Sequence, residues 1–264
     1  MNVIDQLILS TVRLETENST GTGFFYKMCE QENDMAKIVI VTNRHVVENA
    51  CILNVTLKLT KDGSEKIQDF NIKNLRELVV YHPDPETDLA VIPVTDLFNK
   101  IQSDLKYDPV VTFLGKELIP NVSETAAMSS VEDVLVIGYP NGLWDSKNVR
   151  PLVRRGITAS DYKLDYEGES KFIIDCEIVG GSSGSPVFSY STGTHHVGDG
   201  NFILDGQPRV KFLGINSSVF IQGVEGKLIT TDYIDNISSY SKIPIGLGII
   251  IKSSELEIFE NLLP

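Results

Sequence analysis

The run Lys37-Ile38-Val39-Ile40-Val41-Thr42 constrains the fold of this chain more than any other stretch. Its four central residues are all β-branched. Such side chains lose χ1 freedom in a helix and pack well on a pleated surface, so the run predicts a strand. It does not alternate apolar with polar, so both faces of that strand are expected to be buried. Similar runs recur along the chain. Thr11-Val12-Arg13-Leu14-Glu15-Thr16 alternates with period two, and Gly23-Phe24-Phe25-Tyr26 follows a Gly-Thr-Gly turn. Further strand-like runs lie at 52–59, 77–81, 89–93, 134–139, 171–175, 185–189, 211–216 and 246–251. Turn residues such as Lys61-Asp62-Gly63 and Asp205-Gly206-Gln207-Pro208 punctuate them. Only two segments read as helices. One is Val3 to Ser10; the other starts at Ser253, with serine caps, early glutamates and an apolar face of Leu256, Phe259 and Leu263. Many short strands without strand–helix alternation predict an all-β fold of barrels or a sandwich and exclude βαβ winding.

The chain has 264 residues, 42% of them hydrophobic, which suits one large domain or two packed lobes. Its formal net charge of −13 repels a phosphate backbone, so nucleic acid is not an expected partner. No apolar run approaches the roughly 20 residues that span a bilayer, and the first residues lack a basic, apolar leader. With three scattered cysteines, Cys29, Cys51 and Cys176, a disulfide framework is not expected and a reducing, cytoplasmic setting is.

Three polar residues stand at the boundaries of apolar runs. His45 directly follows the buried run, within Thr42-Asn43-Arg44-His45-Val46-Val47. Asp88 precedes the next one, within Thr87-Asp88-Leu89-Ala90-Val91. Ser183 lies in Val179-Gly180-Gly181-Ser182-Ser183-Gly184-Ser185-Pro186. A serine hydroxyl is a weak nucleophile until an imidazole takes its proton. The imidazole in turn needs a carboxylate on its other nitrogen to hold its tautomer and stabilise its charged form. The glycines allow a tight turn that aims backbone N–H groups at a developing oxyanion. Each element alone has a plainer reading. A single histidine after a strand is usually a core or surface residue, an aspartate before one is a cap, and a Gly/Ser run is a linker. A linker, however, is not normally followed by Pro-Val-Phe. An α/β-hydrolase is excluded, because its Gly-x-Ser-x-Gly elbow would need glycine where Ser185 stands, with the Asp and His after the serine.

These segments, together with Gly21-Thr22-Gly23-Phe24 and Val136-Ile137-Gly138-Tyr139-Pro140, resemble trypsin-like serine peptidases of the chymotrypsin fold. The compact bacterial branch that includes Deg-type proteases and glutamyl endopeptidases is the most similar. The resemblance implies two antiparallel six-stranded β-barrels: an N-terminal barrel at 11–98, a connection at 99–130, a C-terminal barrel at 131–252, and a C-terminal helix at 253–264. It assigns His45 as general base, Asp88 as its orienter and Ser183 as nucleophile, with the N–H groups of Gly181 and Ser183 forming the oxyanion hole. It implies a serine endopeptidase acting on proteins or peptides, with no cofactor and no metal.

The resemblance also places Glu177, Asn216 and Ser217 at substrate-binding positions. A carboxylate at 177 on a pocket floor would favour Lys or Arg before the scissile bond; equally, Glu177 faces outward or pairs with Arg154 or Arg155. Glutamyl endopeptidases carry Gly-Ile-His where this chain has Gly214-Ile215-Asn216, so an acidic preference does not carry over. The stretch 190–208 reads as an extended hairpin or loop, and its His195-His196 pair reads as solvated. Cys176 reads as a buried, inert thiol. The alternative to an active enzyme is a latent or silent protease-like binding module that a partner protein or ligand must activate.

Overall fold

The computed structural model describes residues 2–30, 36–198, 201–227 and 238–263, with side chains described outside 193–207, 224–240 and 242. The strand-like runs form two antiparallel sheets, one in each half of the chain. The first holds β1 (Thr11–Glu15), β2 (Thr20–Met28), β3 (Lys37–Thr42) and β4 (Leu53–Lys61). It is completed by β5 (Ser64–Ile72), β6 (Val80–Tyr81), β7 (Ala90–Pro93) and β8 (Asp108–Pro109). Its order is β5-β4-β1-β2-β3-β7-β6, with β8 added beside β4. The second sheet holds β9 (Asp133–Gly138), β10 (Leu152–Thr158), β11 (Lys171–Asp175), β12 (Pro186–Gly198), β13 (Asn201–Lys227) and β14 (Ser238–Lys252). It closes as a barrel in the order β10-β11-β14-β13-β12-β9.

The second half is therefore the six-stranded barrel that the resemblance implies. The first half is an eight-stranded sheet whose ladder runs from β5 to β6, and together with the barrel it is consistent with the chymotrypsin-like double-barrel architecture that the resemblance implies. β6 is only two residues long, and the free edge of β5 carries Glu65, Lys66 and Asp69, charges that discourage further pairing. β8 also falls inside the segment expected to be a connection, because Leu59 and Thr60 of β4 pair with Pro109 and Asp108.

Burial follows the patterns that predicted the strands. In β4, Leu53, Val55, Leu57 and Leu59 alternate into the core, while β3 buries Val39 to Thr42 without alternation. One apolar cluster fills the first sheet around Leu14, Phe25, Ile40 and Val55. Another fills the barrel around Val136, Phe172, Ile174 and Leu213. A third joins the two halves: Phe24 and Val41 of the first sheet meet Ile137, Phe188 and Phe212 of the barrel, and the Phe24 and Phe212 rings stand edge to face at 5.3 Å. Each such buried ring contributes about 1.5–3 kcal/mol, so this seam fixes how the two halves face each other.

The N-terminal helix Val3–Ser10 forms as expected, with the Asn2 side chain accepting from Asp5 N at its start. The C-terminal helix forms as a 3₁₀-helix, Ser253–Asn261. Its buried residues Ser253, Leu256 and Phe259 recur every third position, the spacing that a three-residue turn stacks on one face. Phe259 meets the His82 ring at 5.8 Å, so the end of the chain packs back on the first half.

Candidate active site

β3 ends at Thr42, pairs with β7 through Thr42 and Ala90, and continues into a single helical turn, Arg44–Val47. Asp88 lies just before β7. Its carbonyl accepts from Asn43 Nδ2 at 2.8 Å and from Arg44 N at 3.4 Å, which pins the two loops together. The Asp88 carboxylate is then held at three points. His45 N donates to Oδ1 at 3.0 Å, His45 Nδ1 meets Oδ2 at 2.7 Å, and Ser217 Oγ donates to Oδ2 at 2.9 Å. The His45 side chain is 47% exposed and that of Asp88 26%. The hydrogen bond to Asp88 raises the His45 pKa above its ordinary 6.5, against the opposing effect of burial. Burial pushes the Asp88 carboxyl up, but the bonds and charge of His45, together with the Ser217 hydroxyl, outweigh it and leave the pKa lowered.

Ser183 comes from the loop between β11 and β12. Gly181 and Gly184 have φ of +80° and +85°, the left-handed region that favours glycine. Consecutive carbonyls of this loop are all engaged. Gly180 O accepts from Asn141 N, Gly181 O from Thr22 Oγ1, Ser182 O from Ser185 N and Asn216 Nδ2, and Ser183 O from Thr22 N. No hydrogen bond joins the N–H of Gly181 or of Ser183 to any described group. The Ser183 hydroxyl donates to the Ser217 carbonyl at 3.3 Å. Among the described residues no hydrogen bond joins it to His45, so the structure brings His45 and Asp88 into direct contact and Ser183 to the same cluster through Ser217.

The remaining positions from the sequence fall as follows. Glu177 points out of the loop: its side chain is 93% exposed and its carboxylate lies 3.3 Å from Arg154 Nη1, which also donates to the Glu177 carbonyl. The outward, Arg154-paired arrangement that the sequence offered beside the pocket floor is the one present. Asn216 is 1% exposed and holds the Ser182 carbonyl from behind. Cys176 is buried, and burial raises its thiol pKa, which keeps it protonated. Trp144 stands edge to face with Tyr139 at 6.3 Å and under the Arg13 guanidinium at 5.5 Å, and so anchors the loop after β9. The hairpin expected over 190–208 forms, with Tyr190 paired to Val210 and Gly198 to Asn201, but the side chains of His195 and His196 lie outside the described residues. Among the described residues no group of three or more His, Cys, Asp or Glu is arranged around a metal position. Two contacts are not read from the sequence: the Ser217 hydroxyl, at a position expected to bind substrate, meets Asp88, and Thr22 of β2 contacts the loop that carries Ser183.

A family model described as the trypsin-like peptidase domain matches residues 21–197. The chain belongs to this family. The peptidase domain is similar to the serine protease Do-like HtrA of Bacillus subtilis (strain 168), with 28% identity over 178 residues, covering 66% of this chain and 32% of that protein. The chain thus matches about a third of that relative's length. Among solved structures, the thermostable serine protease AL20 from an extremophilic microorganism is similar in fold. Its TM-score is 0.51 at 15% identity, covering 98% of this chain and 97% of that one. The protease domain of MamO from Magnetospirillum magneticum gives a TM-score of 0.44 at 14% identity, covering 99% and 100%.

Proposed function

We propose that this chain is a serine endopeptidase that hydrolyses peptide bonds in protein substrates through an acyl-enzyme. The reading rests above all on the His45–Asp88 contact at 2.7 Å, with Ser183 brought to the same cluster by Ser217. Asp88 holds Nδ1 of the imidazole, which leaves Nε2 as the acceptor for a proton. In the reaction the Ser183 hydroxyl leaves the Ser217 carbonyl for Nε2. As Oγ attacks the scissile carbonyl carbon, its proton passes to Nε2, and the carbonyl oxygen becomes an oxyanion facing the unengaged N–H groups of Gly181 and Ser183. Collapse of the tetrahedral intermediate breaks the C–N bond, and His45 gives its proton to the leaving amine. Water then attacks the ester with His45 again as base, which releases the acid and restores Ser183. Each oxyanion donor of this kind is worth about 2.7–4 kcal/mol in the transition state.

A fluorophosphonate probe tests this reading, since it reacts only with an activated serine. Labelling that disappears in Ser183→Ala is the expected result; a folded wild-type protein that never labels would count against it.

One observation favours a second reading. The Ser183 hydroxyl rests on Ser217 rather than on His45, which fits a latent enzyme that a partner or ligand turns on. Under this reading, fluorophosphonate labelling is slow for the isolated chain and accelerates when peptide is added. No preference for Lys or Arg is drawn from Glu177, which pairs with Arg154. No described helix is long and apolar enough to cross a membrane.

A further inference from the structure

We propose that Thr22 is a positioning residue for the oxyanion hole, and that it registers the nucleophile loop of the barrel against the sheet that carries His45 and Asp88. The inference rests on Ser183 being the nucleophile and on the N–H groups of Gly181 and Ser183 being the oxyanion donors.

Thr22 is fully buried in β2, on the side of the first sheet that meets the barrel. All of its polar groups work across that boundary or brace it. Its hydroxyl donates to Gly181 O at 3.0 Å and accepts from Tyr139 N at 3.0 Å. Its N–H donates to Ser183 O at 2.9 Å. Its carbonyl accepts from Thr42 Oγ1 at 2.8 Å, three positions before His45 on the neighbouring strand. One residue of the first sheet therefore holds the carbonyls on both sides of Ser182.

A trans peptide points its C=O and N–H in opposite directions, so the carbonyl of one residue sets the N–H of the next. The N–H of Gly181 is aimed by the Gly180 carbonyl, which accepts from Asn141 N at 2.6 Å. Asn141 belongs to the turn whose first residue, Tyr139, is tied to the Thr22 hydroxyl. The same hydroxyl holds the next peptide of the loop through Gly181 O. Loss of this one oxygen leaves the buried Tyr139 N–H and the part-buried Gly181 C=O without their partner, and the two segments that aim the Gly181 N–H lose their common tie. Glycine at 181 is part of the same fit: a Cβ there would lie 2.7 Å from Tyr139 O and 2.8 Å from Asn141 N. Oxyanion donors act by being fixed before charge develops, so this tie should act on the chemical step and not on substrate binding.

The test uses Thr22→Val, which removes the hydroxyl and keeps the shape, and Thr22→Ser, which keeps the hydroxyl. Both are compared with the wild type and Ser183→Ala in reaction with a fluorophosphonate, whose phosphoryl oxygen takes the place of the oxyanion. Thr22→Val is expected to lower kinact by about 10- to 100-fold while KI stays within about twofold, and Thr22→Ser is expected to restore kinact. If Thr22→Val does not fold, Thr22→Ala against Thr22→Ser isolates the same oxygen. Wild-type kinact in Thr22→Val, or equal loss in Thr22→Ser, would overturn the inference, because packing rather than the hydroxyl would then be what matters. A folded wild type that does not label at Ser183 would overturn the proposed function and this inference with it.

Discussion

Ser217 places its hydroxyl on Asp88 Oδ2 at 2.9 Å while its own carbonyl receives the Ser183 hydroxyl at 3.3 Å. One residue of the barrel thus touches both the Asp88 carboxylate that holds His45 and the Ser183 hydroxyl. The contact also crosses the seam between the two halves, so it reports on their alignment as well as on charge.

Ser217→Ala separates these roles, because the carbonyl stays and only the hydroxyl goes. Without that donor the Asp88 charge is less shared and stabilises the His45 imidazolium more. The acid limb of the kcat/KM profile is therefore expected to move to higher pH, and kcat/KM is expected to fall by up to about tenfold, the equivalent of about 1.4 kcal/mol. A pH–rate profile of the variant beside the wild type checks both. An unmoved acid limb would mean that Ser217 does not tune the pair.

The raised pKa of His45 has a consequence for stability with a definite sign. A group whose folded pKa lies above its unfolded value stabilises the fold fully below the unfolded pKa, here 6.5, and the contribution disappears as pH rises through the folded value. The lowered pKa of Asp88 works the other way: its contribution is present above 3.8 and is lost as pH falls through the folded value. The loss of melting temperature in Asp88→Asn should therefore be largest between about pH 4 and 6.5 and should shrink at alkaline pH. Activity runs opposite to this on the acid side, since the base must be neutral: catalysis falls as pH drops through the raised His45 value. Asp88→Asn is expected to lower kcat by on the order of 10³- to 10⁴-fold at neutral pH. Melting curves at several pH values and a kcat measurement decide the matter.

Glu177→Gln is expected to leave the preference before the scissile bond unchanged. The carboxylate is solvated and its charge partner among the described residues is Arg154, so neutralising it alters no enclosed surface. Cleavage profiles of a peptide library by the wild type and the variant make the comparison. A variant that lost cleavage after Lys or Arg would show that substrate draws Glu177 inward.

Much of this site is legible in the sequence because the chemistry sits where strands stop. His45 follows a run that declares itself a buried strand, Asp88 precedes the next, and the glycines around Ser183 announce a turn that few other residues allow. What was not legible depends on side-chain direction or on distant partners. The sequence offers Glu177 both as a pocket floor and as a partner of Arg154, and only side-chain direction, which the chain order does not fix, decides for Arg154. Gly21-Thr22-Gly23 reads as a turn in the sequence but is the start of β2, and the role of Thr22 exists only because folding brings Gly181, 159 residues away, to its hydroxyl. The shortest strands of the first sheet are likewise hidden, since β6 and β8 are two residues each and too short to show a pattern.

Gly184 offers the sharpest test of how tightly the two halves meet at the nucleophile. Its φ is +85°, and a Cβ there would overlap the Thr22 carbonyl oxygen and approach Thr42 Oγ1 to 2.6 Å. The obstructing atom is backbone in β2, pinned by its own strand pairing to β1 and by the Thr42 hydroxyl, so it cannot turn aside as a flexible side chain would. Gly184→Ala therefore combines left-handed strain, about 1–3 kcal/mol, with a steric clash that only separation of the two halves relieves. The variant is expected to lose at least about 3 kcal/mol of stability, read from urea unfolding, and to lose fluorophosphonate labelling even where it remains folded. A stable variant that labels normally would show that the seam at Thr22 yields more easily than its hydrogen bonds indicate.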